Sequence, residues 1–331
     1  MEKVRQEGKS SVAKVRVAFG TGVVLGLWRG QLEVPPTTAH LLTYHDGRCS
    51  ANCKFCPQAR GSTADLKMLS RVVWPHVELK RVLAALGENS NEFRRICIQA
   101  LNYPGVLGDI FELIARVKSV CDLPISVSCQ PLDTEDMRKL ADAGVERVSV
   151  ALDAATPELF ERIKGGGYTW DGHIKALKQA RIVFGNFVTT HLIVGLGESE
   201  EEMIRTIQFL HDMGITVGLF AFTPVPGTPL SSKTPPDITS YRKIQLARFL
   251  IVSEKKRVEQ MRFLNGRLTD FGMDREALEV IVRSGKPFMT SGCPHCNRPF
   301  YNESPLGPLY NYPRRPTSDD LKVIQNELGN L

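Results

Sequence analysis

At 331 residues with 42% hydrophobic content, the chain is long enough to bury one large core or two ordinary ones without disulfide staples. A net charge of +6 is a mild excess with no Lys/Arg block, which argues against a nucleic-acid-binding role. Eight cysteines in such a chain point to metal chemistry in a reducing compartment rather than a secreted disulfide framework, so a cytoplasmic protein is expected.

At the N-terminus Lys3, Arg5, Lys9, Lys14 and Arg16 precede an apolar run over 17–28. The run imitates a signal peptide, but no small-residue cleavage site follows and it is too short to span a bilayer. Residues 1–36 therefore read as a packed N-terminal helical extension with no membrane role. From there strand and helix patterns alternate. Strands are expected over 38–44, 95–99, 124–129, 145–151, 188–194, 216–222, 258–264 and 287–291. Helices are expected over 74–86, 110–120, 134–143, 157–164, 170–183, 200–213, 239–252 and 275–283, with Asp133 or Thr134 capping the third. Eight alternations predict an α/β chain folded as a (β/α)8 TIM-type barrel over 37–292, whose catalytic residues gather at the C-terminal ends of the strands. No repeat or low-complexity linker interrupts it. Over 293–331 the chain turns rich in Pro, Tyr and Asn. That composition predicts an irregular extension, then a short helix capped at Thr317 or Ser318 and running to about residue 330.

The loop after the first strand reads CSANCKFC, with Cys49, Cys53 and Cys56 spaced C-x3-C-x2-C and Phe55 before the last cysteine. Three thiolates this close can hold three corners of a [4Fe–4S] cluster and leave the fourth iron open to a ligand. A partial zinc site is the plain alternative, but structural zinc sites use paired C-x2-C knuckles that total four ligands. The spacing resembles the signature of the radical S-adenosylmethionine (SAM) enzymes. The resemblance implies that Cys49, Cys53 and Cys56 hold the catalytic cluster, that its open iron chelates the amino and carboxylate groups of SAM, and that the backbone at Phe55 lies against the adenine. Reduction of that cluster cleaves SAM to methionine and a 5′-deoxyadenosyl radical.

The segment HLIVGLGE leaves a strand and enters a helix, where glycines let a ligand or another backbone approach closely. A strand followed by Gly-x-Gly is by itself ordinary α/β loop chemistry. With the cysteines upstream it resembles the radical SAM motif G-x-I-x-G-x-x-E through Ile193, Gly195 and Glu198, with His191 in place of the first glycine. That resemblance sets adenine against this strand. Asp153, in VALDAA, matches an acidic residue that contacts the same region in biotin synthase; a helix N-cap or a solvated strand end is the alternative. Most radical SAM enzymes have Gly-Gly-Glu after the second strand, whereas this chain has Gln99, Ala100 and Leu101, which leaves the methionine amino contact unassigned.

The remaining cysteines are Cys97 in the second strand, Cys129 at the end of the third, Cys121 at a helix end, and the C-x2-C pair Cys293 and Cys296 after the predicted eighth strand. Cys121 reads as a small hydrophobe, and a C-P-H-C pair alone is half a zinc knuckle. The other two strand cysteines and the pair total the complement of a second cluster. From about residue 40 to 292 the chain resembles biotin synthase, through VGLGE, PGTPL over 226–230 and MRFLNGR over 261–267. On that resemblance Cys97 and Cys129 fall on two auxiliary-cluster cysteines, the third falls at Thr189, and the family's arginine ligand falls at Arg262. A biotin-synthase-type [2Fe–2S] cluster is thus incomplete. The expected centre is an auxiliary [4Fe–4S] cluster on Cys97, Cys129, Cys293 and Cys296, with Arg262 a further candidate.

The tail CPHCNRPFYNESPLGPLYNYP resembles the two-subunit lipoyl synthases found mainly in archaea and some bacteria. This implies sulfur insertion at C6 or C8 of an octanoyl chain on a lipoyl carrier protein such as the glycine-cleavage H protein. It further implies a second radical SAM subunit as partner and ferredoxin or flavodoxin as electron donor. Inserting sulfur into an unactivated C–H bond needs a strong hydrogen abstractor and a sulfur source beside the carbon, which two clusters supply. A biotin-synthase-like or mutase-like enzyme on a free small molecule is the rival enzyme. A non-catalytic iron–sulfur partner or scaffold of a sister enzyme is the rival from another class. Tyr103, Phe220, Phe222 and Phe288 stay outside the expected site, since aromatic residues at strand ends are more often core.

Overall fold

The computed structural model describes residues 12–165, 167–304 and 306–329. The predicted extension up to residue 11, with Lys3, Arg5 and Lys9, and residue 330 of the predicted last helix lie outside the described residues. In chain order the first elements are β1 (Lys14–Val17), α1 (Phe19–Val24), β2 (Thr38–Thr43), β3 (Met68–Leu69), β4 (Val72–Val73), β5 (His76–Glu78) and α2 (Leu79–Asn89). There follow β6 (Arg95–Gln99), α3 (Val106–Lys118), β7 (Ile125–Cys129), α4 (Thr134–Asp142), β8 (Val145–Val150), α5 (Pro157–Ile163), α6 (Trp170–Phe184) and β9 (Val188–Val194). The chain ends through α7 (Glu200–Asp212), β10 (Thr216–Ala221), α8 (Ile238–Ser253), β11 (Arg262–Leu264), β12 (Arg267–Asp270), α9 (Arg275–Arg283) and α10 (Ser318–Leu328).

The main sheet runs β10-β9-β8-β7-β6-β2-β1-β5. From β2 to β10 every ladder is parallel, while β1 pairs antiparallel with both β2 and β5. Each parallel strand alternates with period two. Leu41, Ile98, Val127, Val148 and Leu192 point outward and are buried with the helices in one core. His40, Cys97, Ser126, Ser149 and His191 point the other way and line a single cavity, together with Phe220 of β10. Six strands contributing to one cavity means that the parallel sheet curls around a lumen. The α/β class and the curled parallel sheet are as expected, but the count is six βα units and not eight.

The difference has a local cause at two places. Residues 258–260 form a 3-10 turn and β11 pairs with β12 as a separate hairpin, because Asn265 and Gly266, both at positive φ, fold the chain straight back. Residues 286–288 form another 3-10 turn started by Gly285 and Pro287, so only a single bridge, Met289 to Tyr312, stands where an eighth strand was expected. The N-terminal extension supplies strand β1 as well as helix α1, and the helix expected from residue 74 begins as β5 and turns helical at Leu79.

Beyond α9 the chain closes the seam between β10 and β2. On one side Ser291 Oγ accepts from Leu219 N–H at 2.9 Å, and Asn302 O accepts from Thr223 Oγ1 at 3.1 Å. On the other side Asn297 Oδ1 accepts from Thr37 N–H at 2.9 Å, and Asn297 Nδ2 donates to Pro35 O at 2.9 Å. The tail packs directly on β10 at Gly218: a Cβ there would be in van der Waals contact with Ser291 O at 3.4 Å and Gly292 Cα at 3.5 Å. The far end of the extension is pinned by fully buried Arg242 of α8. Its guanidinium bonds Glu327 at 2.8 Å, Gln245 at 2.8 Å and Tyr310 O at 2.6 Å, and it also donates to Leu309 O. Capping boxes fix α7 (Ser199 with Glu202) and α10 (Thr317 with Asp320). Among the described residues no helix is long and apolar enough to cross a membrane.

Replacing Arg242 by Leu strands the Glu327 carboxylate, Gln245 Oε1 and the Leu309 carbonyl, while Tyr310 O keeps its bond from Gln245 Nε2. We expect unfolding of the metal-free protein in urea to lose about 3 kcal/mol; an unchanged midpoint would mean that the extension is held by its other contacts.

Candidate functional site

The loop between β2 and β3 contains no helix or strand and is held by side chains that bond its own backbone. Fully buried Gln58 donates from Nε2 to Leu66 O at 2.7 Å and Met68 O at 2.6 Å, and its backbone carbonyl accepts from Cys49 N–H at 2.9 Å. Arg48 donates to Pro57 O and Ala64 O, each at 2.7 Å. This frame points Cys49, Cys53 and Cys56 into one cavity, with Phe55, Asp153, Lys164 and His191 on its other walls. Asn102 N–H, just past β6, donates to Cys49 Sγ at 3.1 Å.

Burial pushes the Cys53 thiol up to about 11 and Cys56 higher still, with Lys164 drawing Cys53 back down. These thiols therefore keep their protons until a cation replaces them, and three soft sulfur donors on a buried wall suit iron of a cluster. Among the described residues no three His, Cys, Asp or Glu side chains are grouped to hold a single metal ion. The sulfurs stand around the cavity walls, as ligands to separate corners of a cluster must.

Lys164 and Asp153 form a buried ion pair beside this set. Lys164 Nζ lies 2.9 Å from Asp153 Oδ2, their side chains are 2% and 10% exposed, and Lys164 also donates to Ala151 O. Burial opposes the lysine's charge, yet Asp153 and Cys53 together raise its pKa above the usual value. Asp153 sits at φ +65 and bridges Leu192, extending β8 alongside β9, so its backbone is fully used and its carboxylate faces the cavity.

A second set of thiols lies farther into the lumen. Cys97 of β6 meets Cys293 and Cys296 of the C-terminal extension: burial raises the Cys97 thiol first, and the two tail cysteines raise it further. Cys293 Sγ is 3.6 Å from Thr189 Oγ1 and Cys296 Sγ is 3.7 Å from His40 Nε2. One cavity of about 190 Å³ is bordered by these three cysteines and also by Phe55, Cys56, Asp153 and Ile193. Arg298 supplies a cation there. Its guanidinium is 4.0 Å from the Phe220 ring centroid and donates to Ser291 O at 2.8 Å, and its charge favours the thiolates of Cys97 and Cys296. Burial and Arg298 depress His40 to about 3 and His191 to about 4, so both imidazoles are neutral at physiological pH.

Several expected site residues lie elsewhere. Cys129 is not brought to Cys97: the β7 residue opposite Cys97 is Ser126, and the period-two alternation turns Cys129 toward the helix-facing core, where it borders the cavity of Cys49, Cys53 and Cys56. Arg262 lies on the β11–β12 hairpin, its side chain 83% exposed and 3.7 Å from Asp270. The Glu198 carboxylate is spent on its own turn, accepting from Gly195 N–H at 2.6 Å, Gly197 N–H at 3.0 Å and Leu196 N–H at 3.1 Å. Gly195, at φ +102, packs against Pro236, which a Cβ would meet at 3.0 Å. Ile193 and Asp153 do line the lumen, as do Phe220 and Phe222. Lys164, His40 and Arg298 carried no sequence signal beyond, for Arg298, its place two residues after Cys296.

Comparison with known proteins follows the same outline. The family model described as the radical SAM superfamily matches residues 43–210. Biotin synthase from Clostridium botulinum (strain Langeland) is 26% identical over 290 residues, spanning 85% of this chain and 80% of its own. Biotin synthase from Aquifex aeolicus is 26% identical over 239 residues, spanning 70% and 69%. Among solved structures, methylornithine synthase superposes with a TM-score of 0.50 at 17% identity, covering 69% of this chain and 67% of its own. The FeFe-hydrogenase maturase HydG from Carboxydothermus hydrogenoformans gives 0.53 at 18%, covering 65% and 51%. At these identities the superpositions speak for the fold alone.

Lys164→Met removes the cation from Asp153 and Cys53. We expect a loss of about 3 kcal/mol in the metal-free protein and, because the Cys53 thiol then rises further above about 11, slower alkylation of Cys53 by iodoacetamide at mildly alkaline pH. Peptide mass spectrometry reads the rate, and faster alkylation would refute the assigned electrostatics.

Proposed function

The chain belongs to the radical SAM superfamily, whose members use a [4Fe–4S] cluster and SAM, and on that premise we propose that it inserts sulfur into C6 or C8 of an octanoyl chain as a lipoyl-synthase-type subunit. The observation that carries this reading is the shared lumen. Cys56 and Phe55 border one side of a cavity whose other side is bordered by Cys97, Cys293 and Cys296. Cys49, Cys53 and Cys56 would hold the cluster that binds SAM, and Cys97, Cys293 and Cys296 an auxiliary cluster. When bound, these groups supply a hydrogen-abstracting radical and a sulfide.

The chain's own residues would do the rest. Lys164 keeps a positive charge beside the first thiol set and holds Asp153 toward the cavity. Ile193, Phe220 and Phe222 line the space between the two sets with apolar surface, which suits an alkyl chain and excludes water from a reactive carbon. Arg298 faces the second set and offsets the charge that thiolates bring into a buried site. In the reaction a C–H bond of the substrate is exchanged for a C–S bond. The hydrogen would leave on 5′-deoxyadenosine, and the auxiliary group would supply the sulfide while its iron takes up the one electron released as the C–S bond forms. The second sulfur would come from a partner radical SAM subunit, the acyl group on a lipoyl carrier protein, and electrons from ferredoxin or flavodoxin.

The biotin synthase relatives favour a second reading, sulfur insertion into a free small molecule. Dependence on the carrier separates the two. Octanoylated carrier protein, with the partner subunit present, should yield a thio-octanoyl product detectable by mass spectrometry, and free octanoate none; equal turnover of a free acid would sink the lipoyl reading.

Iron and sulfide content with Mössbauer spectra tests the cluster assignment. Anaerobically reconstituted protein should hold about eight irons per chain, falling to about four in Cys97→Ala and in Cys293→Ala, and staying near eight in Cys129→Ala. About four irons in the unmodified protein would remove the sulfur source and with it the proposed reaction.

A further inference from the structure

The outer face of the β2–β10 seam carries a groove with no part in the chemistry above. Its lining includes Phe19, Leu32, Val34, Pro36, Val73 and Phe300. Phe19 and Val73 are each 41% exposed, so large apolar side chains face water there. Tyr301 belongs to the groove and also to the lumen. One tyrosine ring and the tip of the β3–β4 hairpin, Leu69 and Ser70, therefore form the partition between the outer groove and the cavity with the two thiol sets.

That partition is lightly held. Strands β3 and β4 pair only with each other, over two residues apiece. Ser70 at φ 51, Arg298 at φ 35 and Phe300 at φ 58 all hold L residues in the left-handed region, a conformation that costs free energy and gathers where a backbone has a task. The hairpin meets the tail through single bonds to backbone carbonyls: Ser70 Oγ to Tyr301 O at 3.2 Å, and Arg71 to Phe300 O at 3.4 Å and to Glu303 O. The Tyr301 hydroxyl is buried with no hydrogen-bond partner among the described residues, and its ring leans on His40 and Trp74 at 5.2 Å and 6.0 Å.

A chain tethered to a carrier has a geometric need that a free molecule lacks. Its far carbons must stand between the thiol sets while its lysine stays outside, so an apolar path must join surface and lumen. We propose that this groove docks the substrate's alkyl chain, a saturated acyl group borne on a lysine side chain, which passes Tyr301 to reach the lumen. The inference rests on the reading of the reaction given above. It names the acyl chain as occupant because most of the groove's lining is apolar, with Glu33 and Arg71 its charged members, and because the groove shares a wall with the reaction cavity.

The test uses the full chain, anaerobically reconstituted, and a peptide carrying Nε-octanoyl-lysine with a diazirine at the end of the acyl chain. Photolysis should attach the probe to residues of the groove or to Tyr301. Val73→Glu should weaken binding of the octanoyl peptide by about tenfold or more, since a charge would then face the methylene path, and leave the weak binding of an Nε-acetyl-lysine peptide unchanged. Iron content and melting temperature equal to the unmodified protein would establish that Val73→Glu is folded, and Phe19→Glu serves as a second probe should it not be. Labels confined to other faces, or octanoyl affinity unchanged in both variants, overturn the proposal. So does self-association of the unmodified chain that Val73→Glu abolishes while octanoyl binding persists, since the groove would then be a contact between copies. Groove labelling without any thio-octanoyl product would keep the docking site and reject the reaction.

Discussion

A curled sheet of six parallel strands has a seam, and closing that seam is the constraint on which the rest of this protein depends. Helices cover the outward side chains of the parallel strands, but between β10 and β2 no ladder forms and the lumen would stand open to water. Here the closure is made by irregular chain from Ser291 to Asn302, bonded to both edges and locked from behind by Arg242. Because the closing segment carries Cys293 and Cys296, the act of sealing the lumen also furnishes it with sulfur donors facing Cys97. Fold closure and site construction are one event in this chain.

The electrostatics follow from that enclosure. Thiols that are buried on all sides hold their protons, and thiolates brought into such a space need compensating cations. Lys164 stands by the first set and Arg298 by the second, while His40 and His191, kept neutral by burial, add no charge. Lys164 is itself paired with Asp153 and is thereby fixed in position, whereas the nearest partners of Arg298 are backbone carbonyls and a ring face. Arg298 also favours the charged form of buried Glu303, so its charge is shared between that acid and the second thiol set.

Much of the frame was legible from the residues. Strands β6, β9 and helix α9 fall where pattern and propensity set them, since the β-branched run of β9 and the Asp-started amphipathic run of α9 are local signals. The triplet of cysteines was legible for the same reason, three chemistry-bearing residues within one loop. Legibility failed where the answer lay in facing or in long-range contact. Cys129 and Ser126 differ by three positions on one strand, an odd interval, and only the ladder with β6 decides which looks inward. Glu198 matched a sequence pattern, yet its carboxylate is consumed by the turn that the pattern encodes. Arg262 was carried to the wrong place by resemblance, because Asn265 and Gly266 turn a presumed strand into an exposed hairpin.

The two sulfur sets also differ in how the chain must assemble them. Cys49, Cys53 and Cys56 lie in a loop whose fastening bonds, from Gln58 and Arg48, span 8 to 16 residues. The second set joins His40 to Cys296 across 256 positions and Thr189 to Cys293 across 104. Closing a longer loop costs more chain entropy, and distant contacts reward that cost only when they form. The cysteines of the first set come from one segment, which Asn102, Ile163 and Gly227 then bond to the rest of the chain, whereas those of the second set are brought together only by the completed fold. Any disturbance that loosens the C-terminal closure, whether at Arg242 or at the glycine contact between Gly218 and Gly292, bears on the deeper site before it reaches the shallower one. A superfamily scaffold can then keep its SAM chemistry constant in the loop after the first parallel strand while the seam-closing segment, free of the sheet's hydrogen-bond register, determines what the lumen offers a substrate.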